Sequence, residues 1–494
     1  MSEQGTGAPG SEAGPSAADL PVSSGITATI SDEAVAQAFS GDLGSVTLMD
    51  SARAYIGKLR GGDPGALPAM FGLVVLLIAF SSLSNQFLTV GNLANLTGQA
   101  GPTIFIAMGL VFVLLLGEID LSAGTAAGVC AMMMGLAYAH NGNIEGYVKG
   151  GSYGAIVIVL VIALAIAVLG RLWLAVPMIV LGLAIVLTHV GGHIWIAMFL
   201  ALATGTAIGC ITGFLVARVG IPSFIVTLAF FLAWQGVIIS FAGKAGAIPM
   251  GDAYPVNALA HQNVNPTLGW ILLVIFVGGY AVFTLFRSVR RRTQKLSAEP
   301  LSLVLVRIGA LVVIGVFAVY FLNRNRQFNK GAKPILGMPW VVPLILVVLV
   351  AMTVLLTKTR FGRYLYAVGG NAEAARRAGI DVRRMRIAAF ALSTTLAGIG
   401  GIALASFDGG VPLDIGGGNT LLYAVGAAVV GGVSLFGGRG RIRDAVIGGT
   451  VISIIPNGLG LKPGVNAAYT YIITGAFLLL AASVDAYGRR RSAK

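Results

Sequence analysis

From about residue 67 onward the chain is a succession of long apolar runs separated by short polar segments. Each run is close to the roughly 20 residues that an α-helix needs to cross a bilayer. This pattern predicts helices near 68–84, 101–117, 121–139, 153–170, 172–190, 194–217 and 222–242. A second group is predicted near 268–287, 303–322, 338–357, 387–406, 419–436, 443–459 and 467–485, making about fourteen spans. A transmembrane β-barrel would alternate apolar and polar positions over about ten residues, and these runs are continuous. The predicted fold class is all-α, a polytopic helical membrane protein whose transmembrane domain occupies 67–486.

Composition agrees. Hydrophobic residues make up 56% of the chain and charged residues 11%, against about a quarter charged in soluble domains. The 69 glycines suit close helix packing in lipid, where small residues let backbones approach. The net charge of +14 comes from Lys and Arg in the short loops, so it reads as an orientation signal and no nucleic acid is expected. With both termini cytoplasmic, 25 of the 33 Lys and Arg fall on the inner side and 7 on the outer, with Arg307 inside a span. Loop 323–337 puts four positive charges on the outer side, which this pattern does not explain. The basic run Arg287 to Lys295 reads as a topology determinant. Cys130 and Cys210 sit in apolar segments and read as small packing residues, with no disulfide framework and no metal-ligand spacing.

Residues 1–66 lack the apolar core of a signal peptide and read as a disordered or weakly helical cytoplasmic tail, with a short amphipathic helix between Ser31 and Leu59. Residues 487–494 read as a basic cytoplasmic tail. The almost wholly apolar stretch 153–190 offers little for a polar solute to bond and is expected to be a peripheral two-helix hairpin turning at Arg171.

The most informative stretch is the polar loop 358–386. Within it Asn371 to Ile380 reads as one short helix, with Asn371 as N-cap, Glu373 in the first turn and Arg376 and Arg377 in the last. Gly379 closes it in a left-handed conformation. The order Glu373-Ala374-Ala375, three residues, Gly379 resembles the loop by which permease subunits of ABC importers dock on their ATPases. The wider string, from Gly362-Arg363 through Tyr366-Ala-Val-Gly-Gly-Asn371 to Ala378-Gly379-Ile380, resembles the ribose/xylose-type branch of those permeases. Taken without the resemblance, the same loop is a basic cytoplasmic segment obeying the positive-inside rule.

The resemblance covers roughly residues 85–485. Phe87-Leu-Thr89, Asn92-Leu-Ala-Asn95 and Gln99 look like the family's segment before its second helix. Gly117-Glu-Ile-Asp-Leu-Ser-Ala-Gly124 is similar to a family motif, and Glu118 brings it nearer the xylose-type members. Glu118 and Asp120 fit either an interfacial turn or a helix broken within the membrane, and Ser122 is expected to cap the helix that follows. Ile221-Pro-Ser-Phe-Ile-Val-Thr-Leu228 matches closely, with Pro222 and Ser223 in the first turn of a span. The stretch 153–190 has no counterpart in the resemblance. Gly431-Gly-Val-Ser-Leu-Phe-Gly-Gly-Arg-Gly440 resembles the family's late glycine-rich segment. It lacks the Gly-Lys-Ser/Thr ending of a phosphate loop, so no ATP hydrolysis is expected on this chain. Tyr423 and Leu421 stand where the family has acidic residues, which weakens transfer of a gating role to that helix.

The resemblance implies a bacterial inner-membrane, multi-pass subunit of an ATP-driven importer, carrying a sugar, with a pentose such as xylose favoured. It implies an ABC ATPase, an external sugar-binding protein and a second permease copy as partners, with membrane lipid around them and no cofactor, catalytic residue or metal. The expected ATPase contacts are Asn371, Glu373, Ala374, Ala375 and Gly379. A weakly binding sugar path should be lined by amide, hydroxyl and aromatic groups, which nominates Asn92, Asn95, Gln99, Asp120, Ser122, Ser223 and Phe224. Each also suits a cap or a helix contact. The rival is an ion-coupled secondary transporter, for which Glu118, Asp120 and His193 are the candidate intramembrane groups. A membrane-embedded enzyme would need a catalytic constellation that this sequence lacks.

Overall fold

The computed structural model describes residues 67–148, 151–243, 246–294, 300–327 and 333–492. The expected N-terminal tail lies outside them. Helices occupy all the predicted stretches: α1 Leu67–Leu83, α2 Val90–Leu115, α3 Ala123–Ala139, α4 Ser152–Leu169, α5 Ala175–Thr188, α6 Ile194–Val219 and α7 Ser223–Ala242. They continue with α8 Pro266–Thr293, α9 Leu301–Leu322 and α10 Val341–Lys358, then two short helices, α11 Arg360–Gly370 and α12 Ala372–Arg377. The last four are α13 Val382–Phe407, α14 Thr420–Gly431, α15 Ile442–Gly460 and α16 Ala467–Ser492. Among the described residues eight helices are long and apolar enough to span a membrane, and α1, α3, α5, α14 and α16 contribute shorter apolar helices. The protein is therefore all-α and polytopic, apart from one antiparallel pair of three-residue strands, Ala247–Pro249 with Gly410–Pro412.

Burial ranks the helices. The most apolar window of α2 is 94% buried and that of α13 72%, whereas that of α8 is only 6% buried. A helix that is apolar all round and covered all round belongs in the middle of a bundle. Helix α13 packs against α2, α3 and α6, and glycines set how closely. Along one face of α6, Gly205, Gly209 and Gly213 lie against the backbone of α13 at Thr394, Phe390 and Ile387. Thr394 Oγ1 donates to the Gly205 carbonyl at 2.6 Å across that contact. This is the small-residue spacing expected where van der Waals contact, rather than water exclusion, holds helices together in lipid. Cys130 and Cys210 are both buried, as expected of packing residues.

Several predicted boundaries move for identifiable reasons. Helix α2 starts at Val90 rather than near 101, because Thr89 caps it by accepting from the Asn92 amide at 3.4 Å and Asn92 itself is buried. Helix α13 starts at Val382 rather than 387, with the Asp381 side chain accepting from the Arg384 amide at 3.0 Å. Helix α14 stops at Gly431, where Gly432 turns left-handed. The stretch 153–190 forms α4 and α5, which pack on each other and on α6. Its turn uses Arg171 at φ 54°, held by Arg384 Nη2 donating to the Arg171 carbonyl at 2.6 Å. The described basic residues after α9 have local uses. Arg324 lies over the Tyr320 ring, and Arg326 Nη2 donates to the Gly337 carbonyl at 2.7 Å.

Candidate functional site

Three separated sequence motifs meet at one end of the bundle. The first is the turn 116–122 between α2 and α3. Helix α2 ends because Gly117 adopts φ 75°, and the amides of Gly117 and Glu118 bond back to the carbonyls of Leu114 and Val113 at 2.9 and 3.2 Å. That double closure satisfies carbonyls a helix end would otherwise leave open. Asp120 then turns the chain: its Oδ1 accepts the Ser122 amide at 2.9 Å and the Ser122 hydroxyl at 2.7 Å. Ser122 does occupy the N-cap position of α3, but its hydroxyl serves Asp120 and makes no cap bond, contrary to expectation. Both residues are fully buried. Burial pushes the Asp120 carboxyl up, opposed by the two bonds from Ser122. Ser223, at the start of α7, is buried beside this turn and accepts the Ile119 amide at 3.3 Å.

The second motif is the helix pair α11–α12. Its sequence predicted one short helix, and the structure adds the amphipathic α11 before it, which buries Gly362, Leu365 and Val368. Asn371 caps α12 by accepting from the Ala374 amide at 2.9 Å. Gly379 at φ 81° ends it, with the amides of Gly379 and Ile380 bonding to Arg376 and Ala375. Glu373 sits in the first turn and pairs with Arg376 at 3.2 Å and Arg377 at 3.3 Å. Ala375 is buried against the bundle, whereas Glu373, Ala374 and Gly379 are exposed. The outward face of α12 therefore carries Glu373 and Ala374, and Ala375 anchors it from behind.

The third is the glycine-rich turn after α14. The Gly438 amide donates to the Leu115 carbonyl at 2.9 Å, and a Cβ at Gly369 would collide with that same carbonyl. Tyr366 Oη donates to the Gly440 carbonyl at 2.6 Å, and burial pushes that phenol up, which keeps it a donor. Across the junction, Arg386 Nε of α13 lies 3.0 Å from Glu118 Oε1. The end of α2, the helix pair α11–α12 and the glycine turn thus share one set of backbone contacts. No spacing rule in the sequence signals this convergence, because the partners lie far apart in the chain, from 74 residues for Tyr366 and Gly440 upward.

The seven predicted path residues do not form one cluster. Asp120, Ser122 and Ser223 come together at the junction, and Phe224, the next residue of α7, points outward at 54% exposure. Asn92, Asn95 and Gln99 lie in the first three turns of α2, about 24–35 Å of helix from its end at Leu115. Asn92 is buried in a reciprocal amide pair with Asn457 of α15, at 2.9 and 3.1 Å, and also donates to the Phe87 carbonyl. Asn95 is exposed, and Gln99 is half-buried. Sequence reasoning missed Asn457 and Arg386, and nothing short of the fold pairs them with Asn92 and Glu118.

The fold is thus that of a multi-pass membrane protein, a many-helix bundle with a short capped helix pair at the junction of α2 and α13. Residues 92–482 match the family described as branched-chain amino acid transport system / permease component, and the chain belongs to that family. It is 30% identical over 422 residues to the xylose transport system permease protein of Escherichia coli strain K12, covering 85% of this chain and 91% of the relative. It is 27% identical over 418 residues to the ribose import permease protein of the same strain, covering 84% and 92%. It is 25% identical over 452 residues to a probable ABC transporter permease protein of Sinorhizobium fredii strain NBRC 101917 / NGR234, covering 90% and 98%. No solved structure matches. The chain is a ribose/xylose-type ABC permease, a multi-pass protein of the inner membrane.

Proposed function

We propose that this chain is the membrane-spanning subunit of an ATP-driven importer that moves a sugar, with a pentose such as xylose the favoured substrate. In this reading an external binding protein delivers the sugar, a separate ATPase docks on α12, and two permease copies enclose the path. The observation that carries it is the linkage of α12 to α13. The C-cap of α12 at Ala378–Ile380 runs directly into the N-cap of α13 at Asp381. A rigid short helix presented to a partner is therefore joined, with no slack, to one of the most buried helices of the bundle.

Force on α12 would move α13 as a body, since packed helices shift between discrete arrangements rather than deform continuously. The Arg386–Glu118 contact would carry that shift to the turn holding Asp120, Ser122 and Ser223. Phe224 faces away from its own bundle, so it lines a path only if a second surface, in this reading a second copy, stands opposite. Helices α4 and α5 lie at the periphery of this scheme. The names of the relatives support a sugar, and the lack of a phosphate-loop motif in the sequence is consistent with hydrolysis on a partner.

The test is reconstitution in vesicles with the ATPase and binding protein from its genetic neighbourhood. Pentose-stimulated ATP hydrolysis with pentose uptake is expected. Uptake that persists without any ATPase, and collapses with the proton or sodium gradient, would replace this reading with the ion-coupled one.

A further inference from the structure

We propose that the cleft between α8, α9 and α10 is a binding site for one anionic phospholipid of the cytoplasmic leaflet. The cleft has a volume of about 750 Å³. One end is lined by Arg287 and Arg291 of α8, Arg307 of α9 and Lys358 of α10, and no carboxylate is among its described lining residues. Arg287 and Arg291 are one helical turn apart and so share a face. Ser288, also on the lining, is buried, and its Oγ has no hydrogen-bond partner among the described residues. A hydroxyl left unpaired in a buried position is costly unless something supplies an acceptor, and a phosphate oxygen is one. Lys358 Nζ stands 5.3 Å from the centre of the Phe283 ring, which holds the ammonium at the rim of the cleft.

The other end is apolar, with Ile275, Phe276, Leu349 and Val350 on its walls. From Ile275 to Arg287 is twelve helical residues, about 18 Å, close to the depth of one leaflet, about half of a 30 Å hydrocarbon core. The cations therefore sit at headgroup level and the apolar walls run toward the bilayer centre. Helix α8 bends its bonding register there into a π turn, Val274–Gly278, and Gly279 just after it leaves open space where a side chain would be. A free phosphate or sugar phosphate would use the basic end and leave the apolar end unfilled. A zwitterionic lipid would fill the apolar end and gain little from four cations. Only a lipid with net negative charge uses both. Basic pockets between helices on the cytoplasmic side are the sites that recognise such headgroups. The inner side follows from the Lys and Arg bias and from Lys358 leading into α11.

The experiment measures binding of fluorescent phosphatidylglycerol and phosphatidylcholine to the purified full chain in detergent. The expected result is saturable phosphatidylglycerol binding with at least about tenfold preference over phosphatidylcholine. The double variant R287Q/R291Q should lose that preference, while R290Q, whose side chain does not line the cleft, should keep it. G279L should weaken both lipids by filling the chain end, without changing the preference. Equal affinity for the two lipids would overturn the proposal, and that comparison needs no variant to fold. Equal losses in R290Q and R287Q/R291Q would also overturn it, as would displacement by millimolar inorganic phosphate. The first result would indicate a general basic surface and the second a soluble-anion site.

Discussion

Arg386 Nε lies 3.0 Å from Glu118 Oε1, joining the first turns of α13 to the turn that ends α2. The side chains are 32% and 15% exposed, so the pair is shielded more than a surface ion pair, and the Nε–H is not aligned for a hydrogen bond. This ion pair ties the entry of α13 to the turn that holds Asp120. Removing one partner of such a half-shielded pair should cost about 1–2 kcal/mol, between the small value of exposed pairs and the larger one of buried pairs. E118Q and R386Q should each lower thermal stability, and the double variant should lose less than the sum. Under the proposed coupling, both single variants should also transport less sugar per ATP hydrolysed. Additive stability losses with unchanged stoichiometry would reduce the contact to a bystander.

Gly379 should be sensitive through its backbone alone. Its φ is 81° and a Cβ there would meet nothing within 4 Å. Left-handed geometry costs an L-residue about 1–2 kcal/mol, more for a β-branched one and less for Asn. G379V should therefore loosen the α12–α13 joint and reduce co-purification with the ATPase, while G379N should behave close to wild type. Equal behaviour of the two variants would count against a role for this cap.

Asn92 and Asn457 make a buried amide pair, so single truncation strands the surviving partner. N92A or N457A should destabilise by about 1–3 kcal/mol, and N92L/N457L should recover much of the loss. Thermal unfolding of the purified chain in detergent reads this directly. If these residues held the sugar instead, the double leucine variant would be stable and fail to transport.

The apolar runs made the helices legible, because in lipid the length of a run is itself the structural constraint. The caps of α12 were equally readable, since Asn371 and Gly379 act on backbone, and Glu373 on Arg376 and Arg377, all within a few residues. What escaped the sequence was long-range. Polar residues at the start of α2 read as a segment before the helix, because their satisfaction depends on Asn457 and Phe87. The convergence of Leu115, Gly369 and Gly438 depends on three helices arriving at one place. The division of the candidate path residues into two groups was hidden for the same reason. Asn92 and Asp120 belong to one helix and its following turn, and a helix of that length keeps its two ends nearly 40 Å (about 1.5 Å per residue) apart.

Asp120 separates the two transport mechanisms. Its Oδ1 holds the Ser122 amide and hydroxyl, while its Oδ2 has no bonding partner among the described residues. In D120N the amide oxygen can take the place of Oδ1 and keep the turn, but the side chain no longer titrates. In D120A both Ser122 groups lose their acceptor in a buried site, at about 1–3 kcal/mol. If the residue shapes the turn, D120N should retain most sugar uptake in ATPase-containing vesicles and D120A should lose stability and uptake together. If the residue instead carries a proton through the membrane, D120N should be as inactive as D120A while remaining as stable as wild type. The proposed importer requires the first pattern, and the comparison of uptake with thermal stability in these two variants decides it.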